Sequence, residues 1–167
     1  STLVTMVLER YKAERNQQLP QRVVVHKSSR FEAAERSGYE QTLRSVRLYD
    51  LVSLHPNSDV RLLRNAQYPP IRGSAFTAGD MTYLYTTGYL PSVARYPHGH
   101  VPSPLQLADH VGDTSPADLF RDVLVLTKMN WNSANMAGLM PITLRFSKLV
   151  GDILREVPAS QEPEAKY

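Results

Sequence analysis

Leu126-Thr-Lys-Met-Asn-Trp-Asn132, followed by Pro141-Ile-Thr-Leu-Arg-Phe146 and Val150-Gly-Asp-Ile-Leu154, is the stretch on which the reading of this chain turns. Trp131, the only tryptophan, is flanked by two asparagines just past an expected helix end, with Lys128 close by. Two readings fit that cluster. Amides, hydroxyls and a cation at a helix terminus supply donors for phosphate oxygens, contacts that position a nucleic acid without reading its sequence. The same residues also suit a buried tryptophan whose asparagine neighbours cap a helix and brace a loop. Downstream, a helix is expected from near Pro141, carrying Ile142, Leu144, Phe146, Leu149, Val150, Ile153 and Leu154. These are too many apolar positions for one narrow face, which predicts a buried helix.

Working back toward the N-terminus, Ser115 as N-cap, Pro116 at the first helical position and Asp118 in the first turn start a helix that runs to about Lys128. Residues 88 to 116 hold many of the prolines and glycines and predict an irregular surface connection. Gly73 to Phe76 and Met81 to Thr86 form a hairpin around Gly79 and Asp80. Val46 to Leu54 and Asp59 to Arg64 read as two paired strands about a His55-Pro-Asn-Ser turn. Ser29 to Glu32 has capping-box spacing ahead of a helix to about Leu43. Arg22-Val-Val-Val-His26 is a short β-branched strand ending at Lys27, and residues 3 to 15 form an amphipathic helix closed by Pro20.

Composition bounds the function. The 167 residues include 12 Pro, 8 Gly and no Cys, with 42% apolar and 21% charged residues, the balance of one folded domain. At this size a core forms without disulfides or structural metal. Thiol nucleophiles, iron–sulfur ligation and cysteine zinc sites are excluded. No apolar run reaches the ~18 residues of a membrane span, and the first residues lack signal-peptide order, so a cytoplasmic location is expected. Nineteen Lys+Arg against 16 Asp+Glu give +3, compatible with a polyanion partner. The basic residues concentrate between Arg22 and Arg72 and again at Arg145, Lys148 and Arg155, whereas Pro158 to Glu164 is Pro/Glu/Ser-rich and reads as a solvated tail.

Standard phosphate-loop, dinucleotide, zincin and nucleophile-elbow motifs are absent. His98-Gly-His100 offers two imidazoles to a metal or two surface groups on a loop, with His110 on a different element. The acids Glu9, Glu14, Glu32, Glu35 and Glu40 have helix-surface spacing, and neither Asp50 nor Asp59 has a partner at metal-site spacing. Arg72, after Tyr68-Pro-Pro-Ile71, is either a phosphate ligand or a surface arginine.

Taken in order, Val23-Val-Val-His-Lys27 with Phe31 and Glu35, Tyr68-Pro-Pro-Ile-Arg-Gly73, Leu84-Tyr-Thr-Thr-Gly88 and the closing stretch quoted first make a pattern. It resembles the C-terminal part of the PIWI domain of a prokaryotic Argonaute, over about residues 3 to 156. The resemblance implies an α/β, ribonuclease-H-like mixed sheet flanked by helices, present here as the C-terminal portion of that fold. Residues 1–157 would form this portion and 158–167 a flexible tail. It implies a protein that holds a guide RNA or DNA and a complementary target strand mainly through phosphates, with sequence choice left to base pairing. Arg72, Lys128, Asn130, Asn132, Thr143, Arg145 and Arg155 are the nucleic-acid-binding candidates on that basis.

Active relatives assemble four metal-binding positions, the first three in sequence upstream of anything this chain resembles. Matching Arg145-Phe-Ser147 to the family's pattern puts Lys148 at the fourth. A protonated lysine has donors and no lone pair, so it does not ligate Mg²⁺, and binding without cleavage is expected. The alternative is part of a guide-directed metal-dependent endonuclease whose acids come from an upstream segment or partner chain. A third reading is a scaffold that docks an effector protein. The resemblance also offers Tyr167 a role, its terminal carboxylate sharing Mg²⁺ with the guide 5′-phosphate, with Arg155 as a rival contact.

Overall fold

The computed structural model describes residues 2–63, 65–96, 99–129 and 138–156. Its centre is a strand of nine residues, β2 (Leu48–Pro56), in which Asp50 to Leu54 are fully buried. Such a run needs cover on both faces and a neighbour on both edges. The six residues of β1 (Arg22–Lys27) pair with it in parallel, Val24 opposite Asp50. A parallel pair needs a crossover, and helix α2 (Ala33–Leu43) supplies it. On the other side lies β5 (Leu105–Gly112), antiparallel, followed by the hairpin of β4 (Met81–Leu84) and β3 (Ala75–Ala78), giving the order β1-β2-β5-β4-β3.

Each face of this mixed sheet carries its own core. On one face Leu51, with Val23, Val25 and Val111, packs against Leu8 of α1 (Thr2–Glu14) and Leu43 of α2, closed by Phe31 and Val46. On the opposite face Val52, Leu54, Leu84 and Leu105, with Val24 and Leu107, pack against Leu119, Phe120 and Val123 of α3 (Pro116–Lys128) and Leu144 of α4 (Ile142–Glu156). The alternation of Val23, Val24 and Val25 between the two cores is the period-2 geometry of a strand.

Several expectations hold. The helix starting at Ser115 is present, and the Ser115 hydroxyl accepts a hydrogen bond from the Asp118 amide at 3.2 Å. The hairpin turns on Gly79 and Asp80, with Gly79 at φ +58°. The first helix and first strand lie where the apolar spacing put them.

Four expectations are corrected. The region read as an irregular connection over 88 to 116 contains β5, which lies between β2 and β4 in the sheet. A bulge between Ser53 and Leu54 pairs them with Asp109 and Leu107, skipping Ala108. The extra residue changes which face the odd positions occupy: Leu105 and Leu107 enter one core and Val111 the other. The strand expected over Asp59 to Arg64 is not formed in its described residues. Instead Asn57 Oδ1 accepts from the amides of Asp59 and Val60 at 2.9 and 3.1 Å, turning the chain away, and the Leu62 amide donates to the Tyr85 hydroxyl at 3.0 Å. The start of α2 falls three residues later than expected, with Glu32 as N-cap and the Glu35 carboxylate accepting from its amide at 3.4 Å.

The fourth correction concerns α4. Only Leu144 is buried, whereas Phe146, Leu149, Val150, Ile153 and Leu154 are exposed. The helix touches β1 and α3, but β1 ends the sheet, and the described residues supply no further strand for the rest of α4 to cover. Leu3, Met6 and Val7 of α1 are exposed as well.

Gly88 sits where the Tyr68–Gly73 segment is strapped to the end of the hairpin, by an Ile71–Tyr89 bridge and a hydrogen bond from the Tyr89 amide to the Pro70 carbonyl at 3.0 Å. A Cβ at Gly88 would lie 2.4 Å from the backbone of both Ile71 and Arg72. Backbone atoms on a paired strap have little room to move. Gly88→Ala is expected to cost about 2 kcal/mol, read as a lower urea midpoint with an unchanged slope; an unaltered midpoint would show that the strap can part freely.

Candidate functional site

At the carboxyl end of β1 the chain leaves the sheet through Lys27 and Ser28, and α4 passes over this point. Between them is an open cleft of about 370 Å³ whose lining includes Lys27, Arg145, Lys148, Asp152 and Arg155. Among the described residues four cations against one carboxylate make it an anion site by charge, with the hydroxyl-bearing residues Ser28 and Ser147 also on its walls. Its place agrees with the tendency of open α/β sheets to bind ligands outside the carboxyl ends of parallel strands.

The four cations are not equivalent. Lys27 is ion-paired with Glu35, donates to the Arg30 carbonyl at 3.2 Å and lies over the Phe31 ring. That lysine drives the Glu35 carboxyl below its ordinary range: its hydrogen bond is the largest influence and outweighs desolvation. Arg155 Nη1 donates to Asp152 Oδ1 at 3.2 Å. Arg145 and Lys148 have no acidic partner among the described residues, so their charge is uncommitted. They stand three residues apart on one helix, which puts both on the same face.

A hydrogen bond fastens this helix to the sheet. Thr143 Oγ1 and His26 Nδ1 are 2.8 Å apart, joining the first turn of α4 to β1. Burial lowers the His26 pKa from its ordinary value and outweighs the pull of Asp122. Thr143, read from sequence as a backbone contact, is thus engaged in holding α4 beside Lys27.

The other sequence candidates are placed apart. Lys128 is exposed at the end of α3 and does not line the cleft. Arg72 Nη2 donates to the Leu124 carbonyl at 2.5 Å and to Thr127 Oγ1 at 3.0 Å, and burial lowers its pKa. Arg72 therefore caps the last turn of α3, whose carbonyls lack intrahelical donors. Arg72→Ala is expected to cost about 1–3 kcal/mol, because buried acceptors lose a charged donor. A thermal melt reads this, and a melt matching the parent would show that water serves those acceptors equally well. Asn130, Trp131, Asn132, His98 and Tyr167, and the tail over 158–167, lie outside the described residues.

Sequence reasoning missed Lys27 and Asp152 as members of the cleft. Lys27 carried one available signal: it is a cation at the last position of a parallel strand. The described residues contain no group of three His, Asp or Glu side chains able to hold a metal ion. Among the described residues the cleft's donors are ammonium, guanidinium and hydroxyl groups, and its one carboxylate is already bonded to Arg155, a set that does not fit a divalent ion. No helix among the described residues is long and apolar enough to cross a membrane.

No family model and no curated protein matches the chain. Solved structures do. The Clostridium butyricum Argonaute bound to a guide DNA and a 19-mer target DNA superposes with TM-score 0.66 at 20% identity, over 92% of this chain and 20% of that one. The chain has a PIWI-like fold. The A. aeolicus Argonaute with externally bound siRNA gives TM-score 0.65 at 17% identity, over 96% of this chain and 22% of its own. Drosophila Piwi gives 0.63 at 14%, over 92% and 23%. The PIWI-like chain thus spans about a fifth of the length of these structures. Its mixed five-stranded sheet with flanking helices is the ribonuclease-H-like architecture that the sequence resemblance implied.

Proposed function

We propose that this chain is the part of an Argonaute-type protein that holds a guide strand and its paired target by their phosphates, binding rather than cutting. The observation that carries the reading is the cleft between β1 and α4, where Arg145 and Lys148 offer two uncommitted cations beside Lys27 and Arg155. The PIWI-like fold supports it, and two of the matched structures are described with nucleic acid bound. Lys148 brings charge but no lone pair to the place where the family resemblance expects a metal ligand. Cleavage would need acids from outside the described residues. Asn130 and Asn132 extend the same grip in this reading, and Mg²⁺ at a guide 5′-phosphate would be held through Tyr167.

The exposed apolar faces of α1 and α4 flank the open edge of β1. An unpaired strand edge beside apolar surface invites association. In the proposed protein this surface is covered by the remaining four-fifths of an Argonaute-type polypeptide, in the same chain or a separate one. A cytoplasmic location and docking of an effector protein belong to the same proposal.

The test is a salt titration of binding to a labelled single strand by the full polypeptide. Each neutralised phosphate contributes about −0.7 to the slope of log K against log salt. Neutralising roughly three to four phosphates therefore predicts a slope near −2 to −3. Binding that ignores salt would remove the phosphate cleft from the account.

A further inference from the structure

Among the described residues Asp152 is the one carboxylate lining the cleft, which otherwise presents four cations, two hydroxyls, Gly151 and the apolar side chains of Met140 and Leu144. A carboxylate there weakens every phosphate interaction around it by like-charge repulsion. Its pairing with Arg155 is an exposed i,i+3 ion pair, with side chains 51% and 81% exposed, a type that adds little to helix stability. The pairing occupies Oδ1 and leaves Oδ2 without a partner among the described residues.

The geometry points to Asp152 as the group by which this cleft prefers an RNA strand to a DNA strand, through a hydrogen bond accepted from a ribose 2′-hydroxyl; the inference rests on the phosphate-binding reading above. Arg145, Lys148 and Asp152 recur at i, i+3 and i+7 on one face of α4. At the rise of an α-helix, Lys148 and Asp152 are about 6 Å apart along the axis, comparable to one nucleotide step. A strand laid along α4 with a phosphate on Lys148 would bring the neighbouring sugar beside Asp152. The space there is open, because a Cβ on adjacent Gly151 would meet nothing within 4 Å.

An ionised carboxylate only accepts hydrogen bonds. The backbone of DNA offers it acceptors alone, so the encounter is purely repulsive. RNA carries a hydroxyl donor on every sugar, the group by which proteins tell the two apart. Arg155, bonded to the other oxygen, holds the carboxylate in place for that donor.

The test measures the full polypeptide with a labelled single-stranded RNA and the DNA of the same sequence. Wild type is expected to prefer RNA by about tenfold, the effect of one charge-assisted hydrogen bond at an exposed site. Asp152→Asn, which removes the charge that repels DNA and leaves RNA only a weaker neutral acceptor, should bring the ratio close to one by tightening DNA far more than RNA, and Asp152→Glu should restore part of the preference. A wild type without preference, or an Asp152→Asn protein that tightens both strands equally, overturns the inference and leaves the phosphate cleft intact. If Arg145→Ala with Lys148→Ala leaves both strands bound as before, the cleft reading fails and the inference with it.

Discussion

Replacing Asp50 with Ala is expected to cost about 3–5 kcal/mol, the usual result of removing one partner from a buried ionic cluster. Asp50 is fully buried at the start of the central strand. Its two oxygens accept from Arg22 Nε at 3.0 Å, the Thr114 hydroxyl at 2.7 Å and the Thr114 amide at 3.3 Å, with His110 Nε2 at 3.1 Å. The cluster ties β1, β2, β5 and the entry to α3 together, and Arg22 extends it to Asp122 on α3 at 2.7 Å. Gly112 keeps the site open, since a Cβ there would fall 2.4 Å from Asp50 Oδ1. Removing the carboxylate takes this acceptor from His110 and Thr114 and leaves Arg22 with Asp122 alone.

The pH dependence follows from the same hydrogen bonds. Burial raises the Asp50 pKa, but the hydrogen bonds from His110, Thr114 and Arg22 outweigh it and hold the group below its ordinary value. A carboxyl depressed in the folded state contributes fully above its unfolded value of about 3.9 and is lost as pH falls through the lower folded value. Urea unfolding of the parent should therefore lose stability below about pH 4, and Asp50→Asn should flatten the curve there while lowering it at neutral pH. Equal curves for parent and variant would mean the cluster contributes nothing net.

Arg145→Ala combined with Lys148→Ala is expected to weaken binding of a single strand about a hundredfold, counting roughly 1.4 kcal/mol for each exposed charge-assisted hydrogen bond removed. The salt slope should fall by about 1.4, the value for two phosphates released. Both side chains line the open cleft, Lys148 exposed and Arg145 partly so, and neither makes an ion pair among the described residues. The unfolding midpoint should thus stay where it is. Charge-preserving Lys148→Arg with Arg145→Lys should keep most of the affinity and the full slope. A double alanine variant with parental affinity would place the nucleic acid elsewhere.

Legibility from sequence differed element by element, for physical reasons. The cap at Ser115, the Gly79 turn and the Val23–Val25 strand were readable because each rests on interactions within a few residues. β5 was not, because the skipped Ala108 breaks its alternation and only the pairing with β2 makes the break visible. Asp50 lacked any partner at informative spacing, since Arg22, His110 and Thr114 come from three other segments. The apolar positions of α4 are plain in the sequence, but their number states how much surface needs cover and not what supplies it.

The candidate site divides along the same line. Arg145, Lys148 and Arg155 stand out in the sequence as a late concentration of basic residues and through the family resemblance, and the cleft contains all three. Arg72 looked equivalent to them until the fold turned its guanidinium onto Leu124 and Thr127. The amino-acid order alone determined the helices, the turns, the lack of thiol chemistry and which cations share a helix face, because propensity, capping and periodicity act over one or two turns. Only the tertiary structure decided which cations remain free to meet a phosphate and which carboxylate is buried at the heart of the sheet. Those outcomes depend on partners many residues away, brought within hydrogen-bond distance by packing that no local pattern encodes.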